Sequence, residues 1–225
     1  MMNDFSPLFV SLKVSVTATI ITFAMGIAAA WLIGRLKRGR NIADVLLSLP
    51  MVLPPTVVGF FLLLAFGKDG FAGKFLANIG MNVLFTWQGA VVAAVAVSLP
   101  IMYRTVRGAF EQIDKNIIAA ARTLGMSESR IFFRIMIPMA RPGIAAGSLL
   151  SFARALGEFG ATMMVAGNIP GKTQTMSIAI YTAMQGGNRE AAYVWVFIVL
   201  AISFVIILLM NLWNERMYKR SGVSR

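Results

Sequence analysis

The stretch "AAARTLGMSESRIFFRIMIPMARPGI", Ala119 to Ile144, stands between two long hydrophobic runs and decides how they are read. It is basic: Arg122, Arg130, Arg134 and Arg141 face the single acid Glu128. Its apolar residues recur with a helical period. Ile113, Ile117 and Ala121 fall at i, i+4 and i+8 with Leu124 close by, and Phe132, Ile135 and Met136 continue a similar stripe. Gly125 interrupts the pattern. Ser127 is placed to cap the next helix, and Glu128 puts a negative charge near its N-terminus. The spacing predicts a helix, a glycine break, a short helix, and Pro138 before the next apolar run. Amphipathicity alone fits two roles. One is a helix lying on anionic lipid. The other is a docking element, for which the small alanines, the tight turn and the proline exit provide close approach to another protein surface.

The flanking runs set the class. Of 225 residues, 58% are apolar and 13% charged, with a mean hydropathy of +0.75; soluble domains average about 45–50% apolar and about 25% charged. The excess falls in runs near the roughly 20 residues that cross a hydrocarbon core. We read a single transmembrane domain over 1–225, with spans near 12–33, 45–66, 85–102, 143–165 and 192–213 and a cytoplasmic segment near 104–141. The spans are expected to be helices, because backbone facing lipid must satisfy its own hydrogen bonds. The third is placed to start at the interfacial aromatics Phe85 and Trp87. "MSIAIYTAMQ" (176–185) is apolar enough for a helix, too short to span, and expected to lie against the bundle or re-enter it.

Loop charges orient the chain. "GRLKRGR" with Asp44 carries four basic residues against one acid, 103–142 seven against three, and the tail from Asn214 four against one. In the alternate loops Lys68 and Lys74 face Asp69, and Lys172 and Arg189 face Glu190. Basic loops are every second loop, which places the N-terminus outside and both 104–141 and the C-terminus in the cytoplasm. The same rule accounts for the net charge of +12 without nucleic acid. "GIAAAW" looks like a cleavage site, but the positive cluster comes after the first run instead of preceding it, so an uncleaved span is expected. The chain has no Cys and no His, which removes thiol nucleophiles, thiolate metal sites and the usual proton shuttle. An intramembrane enzyme lacks catalytic groups, and a passive channel has no use for the 104–141 segment.

That segment resembles the signature loop of ABC-importer permeases: Glu-Ala-Ala, three residues, Gly, nine residues, Ile, one residue, Leu-Pro. Ala120, Ala121, Gly125, Ile135 and Pro138 fall at those spacings, with Ala119 in the Glu position and Ile137 in the Leu position. "LSLPMVLPPTVVGFFLLLAFGKDG" (47–70) and "FARALGEFGATMMVAGNIPGKTQTMSIAIYTAMQ" (152–185) are similar to molybdate permeases, with sulfate and tungstate permeases as close rivals. The resemblance covers about residues 8–215. It implies an all-α, type I importer-like bundle at the plasma membrane, working as two copies of this chain above two cytoplasmic ABC ATPase subunits. An external molybdate-binding protein would deliver the substrate. Ala119, Ala120, Ala121, Gly125, Ser127, Ile135 and Pro138 would then be ATPase-coupling residues. ATP and Mg would belong to the partner, since the chain has no Gly-x4-Gly-Lys-Ser/Thr loop and no expected cofactor or metal of its own.

Two further groups stand out. Pro50, Pro54 and Pro55 must bend or unwind the second span, as a packing kink or as a break that bares carbonyls at a gate; Gly59 permits close helix approach. Arg154 and Glu158 lie at i, i+4 in the fourth span, where charge is costly unless paired. A dianion would be trapped by an unpaired Arg in a low-dielectric pore. The path is therefore expected to offer hydroxyls and kinked backbone, with Thr56, Ser98, Thr162, Pro54, Pro55 and Gly59 as candidates. Arg154–Glu158 is expected to be a structural pair beside it.

Overall fold

The computed structural model describes residues 4–36 and 38–220, all in helices and the connections between them. Lys37 and the end of the basic tail, Arg225 included, lie outside the described residues. The chain opens with α1 (Ser6–Gly34), then α2 (Arg40–Val52), α3 (Pro55–Phe66) and the short α4 (Phe71–Asn78). Next come α5 (Trp87–Glu111), α6 (Lys115–Thr123) and α7 (Glu128–Ile131). A π-helical turn, Phe132–Met136, runs into α8 (Ile137–Met139). The remainder is α9 (Arg141–Leu156), α10 (Gly160–Ala166), α11 (Met176–Gln185) and α12 (Arg189–Arg220).

α5 is the hub. It packs chiefly against α1 and α9 and also meets α10 and α2. The residues it turns inward are small: Ala90, Ala93 and Ala94 are fully buried, so neighbouring backbones approach closely. Tyr103, Met102, Val106 and Phe110 extend its buried face toward the Arg-rich end, where Ile27, Ala30 and Ile33 of α1 and Phe132 of the π turn meet them. α12 is the opposite case. Phe197, Leu200, Phe204 and Leu208 point outward, as expected of a helix facing lipid.

Three helical stretches, Ser6–Gly34, Trp87–Glu111 and Arg189–Leu209, are each long and apolar enough to cross a membrane. Among the described residues two further crossings are possible as bent pairs: α2 with α3, bent by 114°, and Glu128–Met139 with α9, bent by 73°. The expected span 45–66 is therefore not one rod. Pro54 and Pro55 have no N–H to return to the carbonyls of Pro50 and Met51, and the helix stops at Val52 and restarts at Pro55. The expected span 143–165 is also divided. α9 ends at Leu156 with Gly157 as its C-cap, and α10 begins only at Gly160. α11 covers the expected 176–185 stretch. It packs against α12 and is fixed to α1 through the Met176 N–H, which donates to Ser11 Oγ at 2.8 Å.

Candidate coupling and translocation sites

The turn between α6 and α7 is built by backbone rules. Asp114 accepts from the Asn116 N–H at the start of α6. At its end Gly125 sits at φ +73°. The Gly125 N–H donates to the Arg122 carbonyl (2.9 Å) and the Met126 N–H to the Ala121 carbonyl (3.1 Å). This is a Schellman closure, in which a glycine at positive φ satisfies the last carbonyls of a helix. Ser127 Oγ then accepts from the Arg130 N–H and starts α7.

This geometry sorts the residues of the signature stretch. Ala119, Ala120, Gly125 and Ser127 are exposed, whereas Ala121 is only 4% exposed and turned inward. Ile135 and Pro138 are half-buried around the π turn and shape the exit from the segment more than its free face. Leu124 does not continue the buried stripe. As the C-cap residue it projects from the turn and is 82% exposed. Ile117 is likewise exposed, because α6 turns Ile118 and Ala121 toward the bundle and Ile117 away from it.

A joint that the sequence pattern did not reveal anchors the segment. Glu128 Oε1 accepts from Arg122 Nε at 2.7 Å, and its Oε2 accepts from Arg35 Nη2 at 2.5 Å. One carboxylate thus ties the start of α7 both to α6 and to the residue just past α1. The hydrogen bonds from Arg122 are the main influence holding that carboxyl below its ordinary range, with Arg35 adding to it. The available signal was Glu128's position as the lone acid among the arginines. Beside it, Glu111 binds Arg107 Nε at 3.0 Å and also Arg40, while Arg107 pairs with Asp44. These contacts fasten α2 to α5, helped by Arg104 Nε donating to Ser48 Oγ at 2.8 Å.

The path candidates divide too. Pro54 and Thr56 are exposed at the break before α3, and Pro55 is half-buried. Gly59 is buried against α10, where a Cβ would come within 2.8 Å of Ala161 Cα and of Met164 Cβ. Gly160 faces Pro55 and Thr56 in the same way, so the two broken helices meet at their starts. Ser98 and Thr162, by contrast, are enclosed within the protomer. Ser98 Oγ donates to its own helix at the Ala94 carbonyl, 2.6 Å away. They line no open surface, because both sit in the packing of α5 and α10. Thr56 is the one hydroxyl of the three left open.

Arg154 Nη1 and Glu158 Oε2 lie 2.7 Å apart. The pair does not sit on one helix: Glu158 stands in the break between α9 and α10. Its Oε1 accepts from the Ala161 N–H at 2.7 Å, capping α10. Its Oε2 makes the ion contact without hydrogen-bond alignment. The Glu158 side chain is 2% exposed and that of Arg154 32%. Among the described residues no group of His, Cys, Asp and Glu could hold a metal ion.

A helical bundle with a capped, arginine-anchored segment leaving its centre is the architecture of an importer's membrane subunit. The chain belongs to the family of binding-protein-dependent transport system inner membrane components, whose model matches residues 20–220. It is thus a multi-pass transport permease component of the inner membrane. It is 43% identical over 205 residues, 90% of each chain, to the putative molybdenum transport system permease protein YvgM of Bacillus subtilis. It is 42% identical over 222 residues, 97% of each chain, to the molybdenum transport system permease protein ModB of Escherichia coli K12. The sulfate transport system permease protein CysT of Salmonella typhimurium is further off, at 35% over 94% of this chain and 76% of that one. Among solved structures, a bacterial alginate ABC transporter in complex with a pentasaccharide-bound periplasmic protein superposes with a TM-score of 0.77. It is 17% identical, over 97% of this chain and 81% of that one. The inward-facing MetNI methionine ABC transporter gives 0.71 at 15%, over 97% and 95%.

Proposed function

We propose that the chain is the permease of an ATP-driven importer that moves molybdate into the cell, two copies forming the pore. The observation that carries the substrate is the identity of 42–43% along nearly the whole chain to permeases named for molybdenum, against 35% for a sulfate permease. In this reading the exposed face of α6 and its turn, with Ala119, Ala120, Gly125 and Leu124, seats in a cytoplasmic ATPase subunit. Two such subunits bind and hydrolyse ATP with Mg, and an external binding protein delivers the oxyanion. Closure of the ATPase pair moves α6–α7. Glu128 passes that displacement to Arg35 at the end of α1, so the membrane helices are driven through a charged joint. The gate lies where α3 and α10 begin. Thr56 and the interrupted backbone at Pro54 and Pro55 offer polar contacts there, while Arg154 stays neutralised by Glu158.

Uptake of labelled molybdate by cells carrying the chain with its ATPase and binding protein, with tungstate and sulfate as competitors, tests the assignment. Expected is ATP-dependent molybdate uptake that excess sulfate does not displace. Sulfate uptake at equal efficiency would instead favour the sulfate importer. Orientation is tested in this Cys-free chain by Lys172→Cys, at an exposed position of the 167–175 loop. Labelling is expected from outside only, and labelling from the cytoplasmic side only would invert the arrangement.

A further inference from the structure

At the Arg-rich end of the bundle a cavity of about 590 Å³ opens between the end of α1, the end of α5 and the α6–α7 segment. Arg35, Arg40, Arg107, Lys115 and Arg122 line it, against Glu111 and Glu128. The positive charges outnumber the negative ones by three, and by two when Asp44, paired to Arg107, is included. Two buried donors in its wall have no hydrogen-bond partner among the described residues: Arg40 Nε and Trp31 Nε1. Buried N–H groups are almost always paired, and these two are donors only. What completes them is an acceptor, and the excess of positive charge around them favours an anion.

The surroundings say what carries the anion. Arg40 also borders a neighbouring cleft walled by Leu36, Gly39, Asn41 and Ile42. Leu36 and Ile42 in that cleft are both exposed, as are Leu32 in the last turn of α1 and Leu46 in α2. Trp31 stands at the boundary, its ring 4.6 Å from that of Phe132 and 4.0 Å under the Arg35 guanidinium. A charged hollow beside a hydrocarbon-facing strip, at the end where basic loops gather, matches an anionic lipid: headgroup in the hollow, acyl chains along the strip. We propose that this cavity binds the phosphate of an anionic phospholipid of the cytoplasmic leaflet, with Arg40 and Trp31 as its principal donors. Arg35 and Arg122 are shared with Glu128, so the bound phosphate steadies the joint that holds α6–α7. The leaflet rests on the orientation proposed above; the binding itself does not depend on which oxyanion is carried.

The test uses the full chain purified in detergent with its ATPase. Native mass spectrometry measures retention of dioleoylphosphatidylglycerol against dioleoylphosphatidylcholine. We expect a preference of about tenfold for the anionic lipid, of the order set by one or two charge-assisted hydrogen bonds. Arg40→Gln removes the main donor, yet leaves Arg107 paired to both Asp44 and Glu111, contacts that still fasten α2 to α5. It should erase most of the preference, lowering phosphatidylglycerol retention far more than that of phosphatidylcholine, whose phosphate is already balanced by its own choline. Trp31→Phe keeps the ring and deletes only the N–H, and should lower phosphatidylglycerol retention about threefold. Should Arg40→Gln fail to elute as a folded complex, Lys115→Gln at the exposed rim gives the same reading. Equal retention of the two lipids, or an unchanged preference in Arg40→Gln and Lys115→Gln, overturns the proposal. Displacement of phosphatidylglycerol by millimolar inorganic phosphate also overturns it, by making the cavity a free-anion site. The lipid count needs no transport, so an incorrect molybdate assignment and an incorrect lipid assignment are told apart.

Discussion

Arg154 and Glu158 make unequal partners, and that inequality can be measured. Glu158 is almost wholly enclosed and keeps one backbone partner, the Ala161 N–H, whatever happens to Arg154. Arg154→Met therefore strands a buried carboxylate with a single neutral hydrogen bond, at a cost of about 3–5 kcal/mol. The reverse change is milder. In Glu158→Gln the amide oxygen still caps α10, and the arginine left behind is a third exposed and able to reach polar surroundings. Loss of its partner should cost about 1–2 kcal/mol. Removing both takes away the stranded charge, so the double variant should be more stable than Arg154→Met alone. Against a total of about 5–15 kcal/mol, the first variant loses a large share and the second a small one. The assay is a double-mutant cycle read as monodisperse yield and thermal midpoint in detergent, with uptake measured per folded protein. The expected order of stability is wild type, Glu158→Gln, the double variant near it, and Arg154→Met last. An Arg154→Met protein with full yield and only weakened substrate affinity would refute the reasoning and make Arg154 a direct anion ligand.

Gly125→Leu places a side chain at φ +73° where a Cβ meets nothing within 4 Å, so the expected penalty is backbone strain alone, about 1–2 kcal/mol. The membrane domain should still express, ATPase co-purification and uptake should fall together, and normal uptake would count against α6–α7 as the docking element. Gly59→Ala pushes α3 off α10, at about 1–3 kcal/mol of overpacking, and because its methyl meets Ala161 Cα and Met164 Cβ, atoms that Met164→Ala keeps, adding Met164→Ala should not restore the lost thermal midpoint; an unchanged midpoint in Gly59→Ala would mean that the contact is slack. Glu128 has a folded-state pKa below its ordinary 4.5, so its contribution is present above that value and disappears as pH falls through the lowered one. The site is nearly half exposed, and the effect should be only about 0–1 kcal/mol. The difference in thermal midpoint between wild type and Glu128→Gln should be present at pH 7 and shrink below pH 4.5, and a difference independent of pH would exclude the carboxylate as its source.

How much of the chain was legible depends on how local each signal is. The Schellman turn could be read because Gly125, Ser127 and Glu128 act on backbone within a few residues of themselves. The break at Pro54 and Pro55 was equally plain, since a missing N–H does not depend on the partner; its angle was not, because that is set by the seating of α3 on α10 through Gly59. The second break was hidden. Gly157 and Gly160 lie among Ala153, Ala155 and Ala161, and such residues in an apolar run suit close helix packing as well as they suit a helix end. The feature separating the two readings is Glu158, whose carboxylate caps a new helix start, and it was read as half of an ion pair because Arg154 stands four residues before it. Ser98 and Thr162 are enclosed for a non-local reason, since their exposure depends on which helix occupies the centre, whereas Leu124 is exposed by its place as the C-cap of α6. A hydropathy run says that a helix is apolar, not whether protein or lipid surrounds it. Side-chain size carries that missing information. α5 buries Ala90, Ala93 and Ala94 where α12 exposes Phe197, Phe204 and Leu208, since backbones close together only over small side chains. A run rich in alanine flanking a hydroxyl, as around Ser98, therefore marks a residue held between helices. The open hydroxyl sits where proline has broken the helix, as at Thr56, because the interrupted backbone leaves no neighbouring turn to cover it.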